Sequence, residues 1–500
     1  MAVKSKKQTE QTTKTVKKAT VTEKKVKTAK KSRKKMDLGH AEHSKAQDQK
    51  VEVEKFRHIK VVFMGAGSAF FGGLFKDMML APGLVDGEMC LVDIDKERLA
   101  LSVKVAEHIM EWTGRKTWKI TATSDRRKVL PDADYIVNCI EVYGKECVRF
   151  DNDIPLKYGV NQCIGDTTGP GGIMKALRTV PVWLDVLADV KELCPKAVVL
   201  SYTNPMSIMC LAATRVNPWL KHAGLCHSVQ GSSHQLATYA DVPYDEMDWE
   251  CAGINHLAWF TKLEHKGKNL YPVILERLEN GETPLANDPV RFDMMKNFGA
   301  FVTESSGHFS EYLPYYRKRQ DLIDKHCGTG YLGQTSFYAD NWPQWRINND
   351  QYKQDMVDGK LKDEGAPVRS WEYATHIIEA IEANKPFIAH LNVPNTGLIE
   401  NLPQDGIVEV ACIVDKNGIR PTYYGKLPAQ LAAICDWNMR SYELAAQACM
   451  ERDLEKAIQA MMLDPNTASV CSPGEIRQMA NELFKAEKKY LDPAFFKKKK

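Results

Sequence analysis

IKVVFMGAGS, residues 59–68, decides the fold of this chain. Five of the six residues from Ile59 to Met64 are apolar, and Gly65-Ala66-Gly67-Ser68 follows at once. A short apolar run ended by glycine predicts a buried strand entering a tight turn, and Ala69–Leu80 behind it is helical in character. The two glycines let the backbone turn sharply and approach a pyrophosphate, which then rests on the N-terminus of the following helix. The third glycine of the G-x-G-x-x-G fingerprint is replaced by Phe70, and a plain strand–helix turn is the competing reading. Leu91-Val92-Asp93 tips the balance. It ends the next predicted strand (Met89–Val92), where a carboxylate bonds the ribose hydroxyls of NAD and repels the 2′-phosphate of NADP. Gly65, Gly67, Ser68 and Asp93 are therefore the expected NAD-binding residues.

The alternation continues outward. Glu97–Trp112 and Gly172–Leu193 read as helices, and Tyr135–Ile140 and Ala197–Tyr202 as buried strands. Strands alternating with helices predict a parallel sheet covered on both faces, a Rossmann-type α/β domain. Beyond about residue 235 the pattern weakens. Cys251–Lys262 and Gly406–Val414 read as strands, and Trp371–Ala383, Pro428–Met450 and Pro473–Lys488 as helices. The polar, aromatic-bearing stretch 321–363 reads as irregular connection. The expected division is a Lys-rich tail (1–57), an NAD-binding domain (58–235) and a mixed α+β domain (236–500).

The formal charge of +4 conceals an asymmetry. Residues 1–50 carry 16 Lys+Arg against 5 Asp+Glu, which leaves the other 450 residues at −7. The tail has almost no large apolar side chains and cannot offset its ordering entropy, so disorder is expected. It is either a polyanion-binding arm, for nucleic acid or another acidic surface, or a solvated extension. No run of 18 apolar residues occurs, so no membrane span is expected. The 13 cysteines form no C-x-x-C pair, and with no secretory leader they point to the reducing cytoplasm.

Four further segments can carry chemistry. Asp166-Thr-Thr-Gly-Pro-Gly-Gly172 leads into a helix bearing Arg178; Asp166 could bond sugar hydroxyls, or the loop could be an ordinary turn and cap. Asn204 follows a strand in Ser201-Tyr-Thr-Asn-Pro205, where ligands of α/β sheets gather, although an Asx-turn accounts for it equally. Cys226, in Gly224-Leu-Cys-His-Ser-Val229, precedes His256 by 30 residues. A thiolate and an imidazole suit a divalent metal and leave coordination open, while two buried packing residues are the alternative. In His308–Tyr316 three tyrosines form either an aromatic cluster or, beside a cation, a source of a base.

Together these segments resemble glycoside hydrolase family four, the NAD- and metal-dependent glycosidases, over residues 58–490. The landmarks are GAGS (65–68), DID (93–95), GDTTGPGGIMKALRT (165–179), TNPM (203–206), CHSV (226–229), CAGINH (251–256), FVTESSGHFSEYLPYY (301–316), GLIENLP (397–403) and VEVACIVDKNGI (408–419). The tetrad Cys-His-Ser-Val looks like the α-galactosidase subgroup, with α-glucosidase, α-glycosiduronidase or phospho-glycosidase as alternatives. Glu141 weighs against phosphorylated substrates.

The resemblance implies a lactate/malate dehydrogenase-like fold, Cys226 and His256 as ligands of Mn²⁺, Asn204 and Asp166 at the substrate, and Tyr312 as catalytic base. His227 stands where some members carry an acidic group and is the expected acid, with Asp166 or water as alternatives. The implied reaction is transient oxidation at the sugar's C3, deprotonation at C2, loss of the aglycone, water addition and re-reduction. That route needs no carboxylate pair flanking the bond. A homodimer or homotetramer is also implied. The competing class, a metal-free NAD-dependent hydroxyacid dehydrogenase, has no use for the Cys226/His256 pair.

Overall fold

A computed structural model describes residues 57–361 and 365–497. The expected disordered tail lies outside the described residues, apart from its last position. Eleven strands form one continuous sheet: β1 (Ile59–Met64), β2 (Gly87–Val92), β3 (Trp118–Thr123), β4 (Tyr135–Asn138), β5 (Val198–Ser201), β6 (Lys221–Leu225), β7 (Met247–Ile254), β8 (Leu257–His265), then, after the two-residue β9 (Lys268–Asn269), β10 (Phe301–Val302), β11 (Phe387–Pro394) and β12 (Ile407–Asp415). β9 and β13 (Gly418–Pro421) flank it, on β8 and β12.

The order β3-β2-β1-β4-β5-β6 is parallel throughout and is the order of dinucleotide-binding sheets. β1, in its interior, is buried on both faces, which is why IKVVFM is nearly continuously apolar. Helices α1 (Phe70–Leu80), α2 (Lys96–Trp112), α3 (Gly144–Lys157), α4 (Gly169–Leu193), α5 (Met206–Val216) and α6 (Ser228–Ala240) accompany this half. Asp95 caps α2 by accepting the N–H groups of Glu97 and Arg98. The sheet does not stop at β6. β11 joins it antiparallel through Leu391↔Leu225 and Asn392↔Gly224, and β12, β7, β8 and β10 continue outward.

Two expectations are corrected. Cys251–Lys262 is not one strand: β7 and β8 form a hairpin whose turn is Asn255-His256, with His256 in the left-handed region at φ 61°. The stretch 321–363 is not irregular either, because it contains the 21-residue helix α7 (Phe337–Val357). Tyr338, Trp342, Trp345 and Asn349 recur there at helical spacing and line a cleft. The helical stripe was present, but its side chains face a cleft rather than an aliphatic core, so the usual apolar signal is missing. Helices α8 (Tyr373–Glu382) and α9 (Ala429–Glu451) complete the framework, with α9 packed on α4 and α5. Among the described residues no helix is long and apolar enough to cross a membrane.

Candidate active site

The β1–α1 turn is built for close approach. Gly65 (φ 79°) and Ala66 donate their N–H groups to Val92 O at 2.9 and 3.0 Å. A Cβ on Gly65 would lie 2.5 Å from Cys139 O, so only glycine fits. Asp93 draws the turn to β2: Oδ2 accepts Gly67 N at 2.7 Å, and Oδ1 accepts Asp95 N at 2.9 Å. Each oxygen keeps a lone pair for a ligand hydroxyl. From α7, the buried Lys353 Nζ donates to Gly67 O (2.9 Å) and Ser68 O (2.7 Å), while Asp350 grips Arg98. A cleft of about 650 Å³ runs along Gly65, Ser68, Asp93 and Ile140. The glycine cradle, the acidic strand end and this cleft fit a dinucleotide.

An adjoining cleft shares Ser68, Arg98, Ile140 and Glu141 with the first, and brings Asp166, Asn204, Tyr338 and Trp342 together. Lys175 sits in it unpredicted, 3.0 Å from Glu141 and 3.2 Å from Asp166. Burial by itself raises the Asp166 carboxyl, but Lys175, then His308, hold it below the usual carboxylate range. The glycines around it serve packing. A Cβ on Gly171 would strike Gly165 O and one on Gly172 the Thr167 backbone, while Gln162 and Asp464 take the N–H groups of Gly171 and Gly169. Asp166 is thus the member of this loop that lines the cleft.

The third group lies where the parallel and antiparallel halves meet. Cys226 follows β6 and His256 occupies the β7–β8 turn. Glu304, two residues past β10, was missed by sequence reasoning. One ligand atom from each of these three residues lies within 4.8 Å of the other two. His256 Nε2 is 3.6 Å from Glu304 Oε2. Burial raises the Glu304 carboxyl, yet His256 and His308 keep it below its ordinary value; burial pushes the Cys226 thiol up. A sulfur, an imidazole and a carboxylate form a donor set suited to a divalent transition metal. The three residues are 30 and 48 positions apart, so they form no compact sequence motif. The carboxylate following the short apolar run Phe301-Val302 was the available signal.

Tyr312 Oη lies 3.2 Å from His256 Nδ1 and 3.3 Å from His308 Nε2, fully buried. Burial, then Tyr442, Glu304 and other carboxylates, raise its hydroxyl well above the ordinary range. His227 is more exposed and pairs with Glu372, a residue also missed, at 3.3 Å. That bond, opposed by burial, raises its imidazole to about 9, so it carries a proton at neutral pH.

This is a Rossmann-type enzyme that has a glycine turn beside an open cleft and a thiol–imidazole–carboxylate cluster where the two halves of its sheet meet. The chain belongs to the family 4 glycosyl hydrolases: the family's own profile matches residues 60–242, and its C-terminal domain matches 251–467. An alpha-galactosidase of Bacillus subtilis (strain 168) is 38% identical over 441 residues, covering 86% of this chain and 99% of the relative. An alpha-galactosidase of Rhizobium meliloti (strain 1021) is 36% identical over 447 residues, covering 86% and 89%. Among solved structures, a 6-phospho-alpha-glucosidase from gut microorganisms, crystallised with NAD and Mn²⁺, superposes with a TM-score of 0.74. It is 21% identical and covers 87% of this chain and 99% of its own, a likeness of fold.

Proposed function

We propose that the chain is an α-galactosidase working with NAD and a divalent cation, Mn²⁺ being the expected one. The observation that carries this reading is the juxtaposition of the Cys226–His256–Glu304 cluster with Tyr312 in a chain 38% and 36% identical to two α-galactosidases. Gly65, Gly67, Ser68 and Asp93 would hold the dinucleotide, and the three clustered side chains the cation. When bound, the dinucleotide supplies a reversible hydride acceptor, and the cation acidifies a proton beside an oxidised sugar carbon.

The chain's own groups do the remaining work. Asp166, kept ionised by Lys175, accepts hydrogen bonds from sugar hydroxyls, and Asn204 faces the same cleft. Tyr312 Oη is the group placed to take the C2 proton. The carboxylates that resist its ionisation, Glu304 among them, are those a bound cation would offset. His227 holds the proton for the departing oxygen, because Glu372 keeps it charged. Asp166 is less suited to that role, being unprotonated at neutral pH. Arg98, Lys175 and Arg346 line the cleft, and each already has a carboxylate partner, at 3.0, 3.0 and 4.0 Å. Among the described residues every lysine and arginine lining that cleft has a carboxylate within 4.0 Å, which favours an uncharged galactoside over a phosphate or uronate. All thirteen cysteines are free, in keeping with a cytoplasmic enzyme.

The test is a substrate panel of 4-nitrophenyl α-galactoside, α-glucoside, α-galacturonide and 6-phosphates, with and without NAD⁺, Mn²⁺ and reductant. Cleavage of the α-galactoside is expected with all three additions. Full activity after exhaustive chelation and cofactor stripping overturns the proposal, and so does stoichiometric NADH release with the glycoside intact.

A further inference from the structure

Behind the cluster runs a chain of buried side chains that the reaction above does not use. His308, on the single turn Ser306–Phe309, and Glu311, three residues later, are 3% and 2% exposed. His308 Nδ1 lies 2.6 Å from Glu311 Oε2, and His308 Nε2 lies 3.1 Å from His256 Nδ1. The same carboxylate accepts three consecutive backbone N–H groups, those of Cys163, Ile164 (2.9 Å) and Gly165 (3.3 Å). Those residues lead directly into Asp166.

The directions of these bonds follow from what each group can do. An ionised carboxylate only accepts, so His308 in its neutral form carries its proton on Nδ1 and leaves Nε2 as an acceptor. His256 Nε2 faces Glu304, so a cation held there leaves the proton on Nδ1, which points at His308 Nε2. Each ring's tautomer thus dictates the next. We infer that His308 and Glu311 are positioning residues for the metal centre: Glu311 sets the tautomer of His308, which sets the tautomer and ring plane of His256, and the same carboxylate fastens the Asp166 loop to that chain. This rests on the assignment of Cys226, His256 and Glu304 to a divalent cation. Outer partners of this kind typically contribute 10–100-fold in metal affinity.

Glu311→Gln is the informative change. A glutamine oxygen has two lone pairs for four donors. With the oxygen turned to the Cys163–Gly165 amides, the –NH₂ meets His308 Nδ1, and the ring must move its proton to Nε2, against His256 Nδ1–H. With the oxygen turned to His308, the amides of the loop lose their acceptor. Mn²⁺ titration of the full chain, followed by the electron paramagnetic resonance of free Mn²⁺, should show affinity about 10–100-fold weaker in Glu311→Gln, with the wild-type circular dichroism spectrum retained. Affinity within threefold of wild type, with Cys226→Ser still abolishing binding, overturns this inference and leaves the metal reading standing. Wild-type protein without Cys226-dependent Mn²⁺ binding overturns both. A measurement on unmutated protein covers a variant that fails to fold. Long-range ¹H–¹⁵N spectra of histidine-labelled chain, assigned by the signals lost in His308→Asn, should show His308 protonated on Nδ1 alone. Protonation on Nε2 overturns the inference.

Discussion

Lys353 offers a quantitative check on how α7 is fastened to the glycine turn. The residue is 4% exposed, and its ammonium donates to two carbonyls, Gly67 O and Ser68 O. Burial, then the neighbouring Arg98, lower it from 10.5 to about 8, with Asp350 and Asp93 opposing. A lysine depressed in the folded state has a definite sign. Below about pH 8 both states hold the proton and the folded state bears the cost. Between about 8 and 10.5 the unfolded chain binds the extra proton, so stability rises with pH. At about 1.36 kcal/mol per unit the whole window amounts to ~3 kcal/mol, of which ~2 kcal/mol falls between about pH 7 and 9.5. The neutral amine keeps two N–H groups for its two carbonyls, so deprotonation breaks neither bond. Lys353→Met removes the titration and both bonds. Urea unfolding of both proteins at the two pH values isolates the term, because other groups titrate alike in each. Wild type should gain ~2 kcal/mol more than the variant on going alkaline. Parallel pH dependences in the two proteins would refute the argument that this buried cation carries a desolvation cost.

Four other outcomes are expected. Gly65→Ala sets a Cβ against Cys139 O at a left-handed φ, costing ~1–2 kcal/mol in backbone strain and ~1–3 kcal/mol in overpacking. The melting temperature should fall by several degrees and calorimetric NAD⁺ binding should vanish; unchanged NAD⁺ affinity counts against the cradle. Glu304→Gln keeps the volume but removes a charge, so Mn²⁺ should dissociate at least ~10-fold more readily, about 1.4 kcal/mol, while Cys226→Ser should lose metal and turnover and remain folded by circular dichroism. His227→Ala should slow galactosides with unactivated leaving groups by about 10²–10⁴-fold and 4-nitrophenyl galactoside much less. Equal losses on both would remove His227 from the acid's role.

What the sequence made legible followed from local chemistry. IKVVFMGAGS carries its own signal, since a strand buried on both faces is apolar without alternation and the glycine turn is a backbone requirement. Asp93 was legible because its place at a strand end is fixed by the fold. α7 was not, because its stripe of Tyr338, Trp342 and Trp345 faces a cleft and shows no aliphatic periodicity. The β7–β8 hairpin was hidden for a different reason. Its turn, Asn255-His256, contains no glycine or proline, and His256 is held at positive φ by its surroundings rather than by residue type. Glu304 and Glu372 act through partners distant in sequence, and no spacing rule reaches across 78 residues from Cys226 to Glu304.

The location of the cluster follows from how the sheet is spliced. Cys226 and His256 each lie just after a glycine-bearing strand end, Gly224-Leu-Cys and Gly253-Ile-Asn-His. A Cβ on Gly224 would strike the Met206 side chain, and one on Gly253 would strike Leu257 O, so β6 packs against a helix side chain and β7 closes to backbone distance at these points. Gly224 pairs with Asn392 of β11, and Gly253 pairs with Glu409 of β12, the residues that tie the antiparallel extension to its neighbours. Asn392 and Glu409 are both fully buried and hydrogen-bonded to each other, and burial, then the nearby Cys226, push the Glu409 carboxyl well above its ordinary value. Burial that disfavours the charged form of Glu409 keeps a further negative charge from forming behind Cys226 and Glu304. A dinucleotide sheet alone ends at β6, with Cys226 at its edge. The antiparallel extension sets the β7–β8 turn and the segment after β10 against that edge, and those two segments supply the other two donors.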